Sequence, residues 1–134
     1  MNYWLIKTEP STWSWEQQKT RRTTHWDGVR NYQASNNLKA MEIGDLCFFY
    51  HSMYDRKVVG IVKVIETYHP DPTDPTGRFG MVGIEYVKEL VNPVSLTQIK
   101  SHPQLQSLAL VRQSRLSVMP IDAESWEIIL GMSR

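Results

Sequence analysis

Residues 46–52 read Leu-Cys-Phe-Phe-Tyr-His-Ser, and this run limits the fold more than any other stretch. Large apolar side chains follow one another here without the alternation of a half-exposed strand. A strand of this kind needs cover on both faces, so it belongs in the middle of a barrel or between packed layers. With 134 residues the chain fits one domain, 1–134, able to bury roughly two-thirds of its unfolded surface. Nothing in its length, its 41% hydrophobic content or its 22% charged content departs from an ordinary globular protein.

Around that run the remaining elements fall into place. Tyr3 to Lys7 reads as a short strand, broken by Pro10 and Ser11. Ser14-Trp15-Glu16-Gln17 has the capping-box pattern and predicts a helix over Trp15 to Lys19. Thr20 to Asn31 is polar and reads as a loop, with Gly28 marking a turn. Tyr32 to Met41 suits a helix with Ala34, Leu38 and Met41 on one face. Val58 to Tyr68 and Met81 to Leu90 read as strands, separated by a proline-rich loop from His69 to Arg78. Leu96 to Ser101 is a helical turn, and Leu116 to Met119 a last strand. Asp122 caps a final helix whose staple pair is Ile121 and Trp126, with Ala123, Trp126, Ile129 and Leu130 on one face and Gly131 as its stop. The sum is an α+β fold, mostly β: five strands in a small closed or nearly closed barrel with short peripheral helices.

Cys47 is the only cysteine, which excludes an internal disulfide and a Cys-rich zinc site. A reducing compartment follows, and the expected location is cytoplasmic, in the cytosol or with the nucleoid. No signal-peptide pattern and no apolar run of about 18 residues appears. The net charge of +1 is not that of a protein that grips long nucleic acid through many phosphates. Any nucleic-acid footprint must be small, with specificity residing in a pocket.

Trp4, Trp13, Trp15 and Trp26 crowd the first 26 residues, a clustering that suits either a core or a stacking site. Trp26-Asp27-Gly28-Val29-Arg30-Asn31 sets an aromatic beside an Arg and an Asn. The indole can stack on a flat ring, Arg30 can meet a phosphate or carboxylate, and Asn31 offers both hydrogen-bond polarities to a base edge. Alternatively Trp26 caps the core and Asp27 pairs with Arg30. Tyr50-His51-Ser52 ends the most buried strand, at a barrel rim where ligands enter, or else His51 is a satisfied core histidine. Lys7-Thr8-Glu9-Pro10, followed by Trp13 and Trp15, supplies another face of the same pocket or a turn with a hydrophobic anchor. Arg115 and Ser117 share one face of the last strand.

Lys7-Thr8-Glu9-Pro10, Trp26 to Ala34, Phe49-Tyr50-His51-Ser52 and Arg115-Leu116-Ser117-Val118 occur together in the order of the EVE domain family, which the chain resembles from Asn2 to Leu130. The resemblance implies a PUA-like five-stranded pseudo-barrel, similar to YTH and ASCH domains, in a group that binds RNA, or DNA and RNA bases carrying modifications. It places the family's pocket motifs on Lys7, Thr8, Trp26, Val29, Asn31, Tyr50, His51 and Ser52. Trp13 and Trp15 flank them, and Arg115 belongs to the late motif. Thr8 stands where the family often has Ser and keeps the hydroxyl; Ser35 stands where it often has Arg and removes one positive charge.

The expected function is therefore a non-catalytic module that captures a base of DNA or RNA, expected to be a modified one, in an aromatic and polar pocket, as a monomer. No cofactor, metal or membrane partner is expected. Two other classes stay open. One is a small enzyme on nucleic acid or nucleosides, with His25, Asp27, His51 and Asp71 as acid–base groups or metal ligands. Against it, Cys47 sits in an apolar strand, Ser52 faces away from His51, and no HxH or HExxH spacing or Gly-rich phosphate loop occurs. The other is a protein-interaction module.

Overall fold

The computed structural model describes all residues from Met1 to Arg134. Six strands form one mixed sheet in the order β2-β5-β4-β3-β1-β6. They are β1 (Tyr3–Thr8), β2 (Thr23–Trp26), β3 (Leu46–His51), β4 (Lys57–Pro70), β5 (Gly80–Ser95) and β6 (Val118–Ile121). β1 and β3 run parallel, and every other neighbouring pair is antiparallel. The sheet ends β2 and β6 do not pair with each other, so the barrel stays open. Five α-helices and a 3-10 turn at Pro103–Leu105 complete the chain: α1 (Trp15–Arg21), α2 (Tyr32–Ala40), α3 (Leu96–Ser101), α4 (Ala109–Arg112) and α5 (Ala123–Met132).

The run at 46–52 is where the two layers of the core meet. Phe48 stacks on Trp126 of α5 with ring centroids 3.8 Å apart, and Trp126 stacks in turn on Tyr3 at 4.5 Å. Phe49 points the opposite way, as period-2 geometry requires. It meets Trp15 at 4.9 Å and Trp26 at 5.6 Å. Aromatic cover on each face explains why this strand needs no polar side. Asp45, just before it, is buried but fully answered: it accepts from the Trp4 indole N–H at 3.0 Å and from the Glu42 and Asn2 amides at 3.0 and 3.1 Å.

The sixth strand is the main departure from the sequence reading. Thr23–Trp26 lies in the polar stretch read as a loop, yet it pairs with β5 from Thr23↔Glu85 to Trp26↔Val82. Its alternation is carried by two threonines and a histidine at an exposed sheet edge, which hydrophobic patterning does not register. β5 also continues past Leu90 to Ser95, through Pro93. Its pairing with β4 is interrupted between Glu89 and Val94, and Asn92 instead donates from its amide and its side chain to Ser133 O at 2.9 and 3.2 Å. A proline is tolerated in a strand where the ladder lapses in this way. β4 continues to Pro70, shortening the proline-rich loop to 71–79, and β6 begins two residues later than expected. The capping boxes at Ser14 and Ser95 and the Asp122 cap form. Ala123 is exposed rather than packed, and α5 runs through Gly131 to Met132, because that glycine keeps helical rather than left-handed geometry.

No helix is long and apolar enough to cross a membrane.

Candidate functional site

A cavity of about 650 Å³ opens at the C-terminal end of β1, within the roughly 300–1,000 Å³ of small-molecule sites. Lys7 and Thr8 come from β1 itself, Glu9, Thr12 and Trp13 from the loop after it, and Arg21 from the end of α1. Thr24, His25 and Trp26 of β2 form the next wall, followed by Asp27, Gly28, Val29 and Arg30, with Ser117 closing the ring before β6.

Local hydrogen bonds hold these walls. The Thr8 hydroxyl donates to Trp13 O at 2.9 Å. The Trp13 indole N–H donates to Gln18 Oε1 at 2.9 Å, and the buried Gln18 amide donates to Arg22 O at 2.9 Å. Trp13 is half-buried and also borders a shallower hollow with Glu16, Gln17, Thr20 and Arg21, so its ring is reachable from two sides. Lys7 donates to Ser114 O at 3.1 Å, and its ammonium lies 5.7 Å from the Tyr50 ring centre. Burial, with Arg56 as a further influence, lowers its pKa.

The loop Asp27–Arg30 is fixed from the far side by the loop 71–79. Buried Asp71 accepts from the Gly28 amide at 2.8 Å and the Arg30 guanidinium at 3.0 Å through Oδ2, and from the Thr73 amide at 2.8 Å and hydroxyl at 2.6 Å through Oδ1. Burial alone pushes this carboxyl up. The Thr73 hydroxyl, the Gly28 and Thr73 amides and Arg30 outweigh it and hold Asp71 well below the usual carboxylate range. Arg30 also donates to the Thr73 hydroxyl at 2.9 Å. The partner of Arg30 is thus Asp71, not the neighbouring Asp27 weighed from the sequence. Gly28 takes φ +77°, a backbone region that excludes most side chains and lets its N–H turn toward Asp71.

Of the residues singled out from the sequence, Lys7, Thr8, Trp13, Trp26, Val29 and Arg30 meet around this cavity. Trp26 does so only by an edge: it is 7% exposed and packs T-shaped on Phe49. The others lie away from this wall. Trp15 is buried between Phe49 and Tyr86, with its indole N–H on Glu89 Oε1 at 3.0 Å. Asn31 caps α2, its Oδ1 accepting from the Ala34 amide at 2.9 Å. Tyr50 is buried, which pushes its phenol up to about 12. His51 Nε2 accepts the Trp15 amide N–H at 3.0 Å at the start of α1, and the Ser52 amide donates to Thr8 O at 2.9 Å. Arg115 is exposed outside the cavity. The single slot expected between Trp26, Tyr50 and His51 is therefore not what the chain builds. Double-sided cover of β3 draws Tyr50 inward, and a helix end claims the imidazole.

Glu9, Thr12, Arg21, Thr24, Gly28 and Ser117 also line the cavity without being assigned to binding from the sequence, and His25 and Asp27 are weighed there only as acid–base groups or metal ligands. Thr24 and His25 carry a usable signal once β2 is known to be a strand; Thr12 and Ser117 carry none. Ser35, at the position where a positive charge was noted as missing, is buried, with its hydroxyl 3.0 Å from that of Tyr68. Cys47 is fully buried, and burial raises its thiol pKa.

An unclosed mixed sheet around one core, with a hollow at the end of its parallel strand pair, defines a PUA-like pseudo-barrel. The EVE domain family model matches residues 2–132, and the chain belongs to that family. Thymocyte nuclear protein 1 of Rattus norvegicus is 34% identical over 98% of this chain and 73% of that protein. The crystal structure of protein Atu2648 from Agrobacterium tumefaciens superposes with TM-score 0.96 at 46% identity, over 99% of this chain and 93% of that one. Human THYN1, solved in complex with DNA containing 5-methylcytosine, superposes with TM-score 0.95 at 30% identity, over 100% and 98%. The YTH domain of Mmi1 shares the fold alone, with TM-score 0.59 at 10% identity.

Proposed function

We propose that this chain is a non-catalytic DNA-binding module that takes an extruded, modified base into the cavity beside Trp13 and Trp26. One observation carries the reading. A cavity of small-molecule size brings two indoles, the Thr8, Thr12 and Thr24 hydroxyls and the Lys7 cation together, in a chain 30% identical to a protein solved with 5-methylcytosine-containing DNA.

Extruding a base costs a few kcal/mol, least where pairing is already weak. Stacking on an aromatic side chain offsets about 1–3 kcal/mol of that. Trp13, half-buried and reachable, serves as the platform; Trp26, nearly closed off by Phe49, offers an edge. A buried methyl on the base adds roughly 0.8 kcal/mol, so discrimination from that group alone stays in the range of about 10- to 200-fold. With a net charge of +1, few phosphates are neutralised, and binding should weaken only gently with salt. The non-catalytic part of the reading is supported by the engagement of the obvious chemical groups: Cys47 is sealed in the core, and His51 Nε2 is committed to a helix amide.

Titration of labelled DNA and RNA oligonucleotides, each with and without 5-methylcytosine, tests the proposal. Tighter binding of methylated DNA, weakened at least tenfold by Trp13→Ala (about 1.4 kcal/mol of stacking lost), is expected. Equal weak binding to all four, indifferent to Trp13→Ala, refutes it. A preference for the RNA arms moves the carrier from DNA to RNA.

A further inference from the structure

We propose that His25, Glu66 and His69 form a divalent-metal site of the zinc class on the outer end of the sheet, sharing His25 with the rim of the cavity. Their three ligand atoms lie within 4.8 Å of one another. His25 Nε2 is 3.2 Å from Glu66 Oε2, and His69 Nε2 is 3.7 Å from the same oxygen. A tetrahedral ion with bonds of ~2.1 Å sets its ligand atoms ~3.4 Å apart. Both distances to the carboxylate therefore match a coordination edge before any side chain moves, and only the two imidazoles must close toward each other.

Three backbone features converge on this arrangement. Glu66 and His69 are three residues apart on β4, and on a regular strand an odd spacing sends side chains to opposite faces. Here Glu66 pairs with Gly83 while His69 pairs with Met81. Three steps along β4 oppose two along β5, and this bulge turns both side chains to one face. Next, His25 on β2 also pairs with Gly83, from the other side of β5. His25, Gly83 and Glu66 thus lie abreast across three strands, and the missing side chain at Gly83 opens the path between the outer two. A Cβ at position 83 would stand 2.9 Å from the Glu66 Cβ. Finally, His69 Nδ1 lies 2.7 Å from Thr67 O. A carbonyl can only accept, so Nδ1 carries a proton, and Nε2, facing Glu66, is the nitrogen left to bind an ion. Metal-binding histidines are typically oriented by such a bond.

Two imidazoles and one carboxylate suit zinc and its late first-row neighbours rather than magnesium or calcium. Three protein ligands leave a fourth position for water, and the side chains are partly exposed, at 50%, 50% and 33%. The ion would clamp β2, a four-residue edge strand, to β4 across β5. Sequence spacing hides the site, because its ligands come from positions 41 and 44 residues from His25 and use a bulge that no periodicity announces.

Calorimetric titration of EDTA-treated, dialysed protein with zinc chloride tests the assignment, with cobalt chloride as an absorbance probe of geometry. The expected results are saturable binding of one ion per chain, tetrahedral cobalt bands, and a melting temperature raised on the order of 10 °C at a hundredfold excess over Kd. His25→Ala, His69→Ala and Glu66→Gln should each weaken binding by roughly 100-fold or more. All three positions are exposed enough that the variants should fold, which their circular dichroism checks. No saturable binding at millimolar zinc, binding that survives the two histidine substitutions combined, or equal affinity for magnesium overturns the proposal.

Discussion

Replacing Asp71 by Asn removes one charge from a buried carboxyl group that accepts four hydrogen bonds: from the Gly28 amide, the Arg30 guanidinium, and the Thr73 amide and hydroxyl. An asparagine offers one acceptor oxygen and one NH₂, so its orientation decides the cost. With the NH₂ toward Gly28 and Arg30, two fixed donors would face a third. With the NH₂ toward Thr73, the threonine hydroxyl can rotate and accept, and only the Thr73 amide loses its partner. The second orientation wins. It leaves one buried N–H unsatisfied, about 1–3 kcal/mol, and reduces the bonds from Gly28 and Arg30 from charged to neutral, about 1 kcal/mol more. Asp71→Asn should therefore destabilise the protein by about 3 kcal/mol at neutral pH, read by urea unfolding at constant m-value.

The acid limb gives a second readout of the same substitution. Asp71 is held below its ordinary 3.8 in the folded state. As pH falls through that value the unfolded chain takes the proton first, so the stabilisation is fully present above it and drains away below. Asp71→Asn should flatten this loss, bringing the two stability curves together toward low pH. A loss under about 1 kcal/mol at neutral pH, or an unchanged acid slope, would refute the view that this carboxylate anchors the cavity loop.

Two further outcomes follow from the packing. At Gly60 an added Cβ would come within 2.1 Å of the Trp15 indole, which is itself held by Phe49, Tyr86 and Glu89. Gly60→Ala should cost about 3 kcal/mol in thermal or chemical unfolding, the upper end of overpacking; a neutral result would mean that the indole is free to shift. His51 has its pKa lowered from 6.5, chiefly by burial and then by Lys57, and its Nε2 must stay unprotonated to accept the Trp15 amide. The unfolded chain takes up that proton first as pH falls, so stability should decline below about pH 6.5 and continue down to the folded-state value. Circular-dichroism unfolding from about pH 7.5 to 5.5 should show this slope in the parent and lose it in His51→Ala.

Much of the fold is legible along the chain because its signals are local. Ser14 with Gln17 and Asp122 with Ser125 cap helices through contacts three residues long. The β3 run announces its burial by composition alone. β2 escaped because an edge strand of Thr-Thr-His-Trp buries little, and its evidence is its partner on β5. At the site, motif order placed Lys7, Thr8, Trp26 and Val29 in one neighbourhood, and these four line the cavity together with Arg30. It did not tell which polar groups the fold had already used.

What the sequence determined by itself was therefore most of the elements, though not β2 or α4, the family, and the early stretch of chain that lines most of the cavity. Only the tertiary structure decided that His51 serves a helix end, that Asp71 rather than a ligand holds Arg30, and that a bulge opposite Gly83 brings Glu66 and His69 to His25. The physical reason is common to all of these. A side chain's donors, acceptors and direction are settled by partners tens of residues away, and a one-residue change of strand register reverses the face it presents.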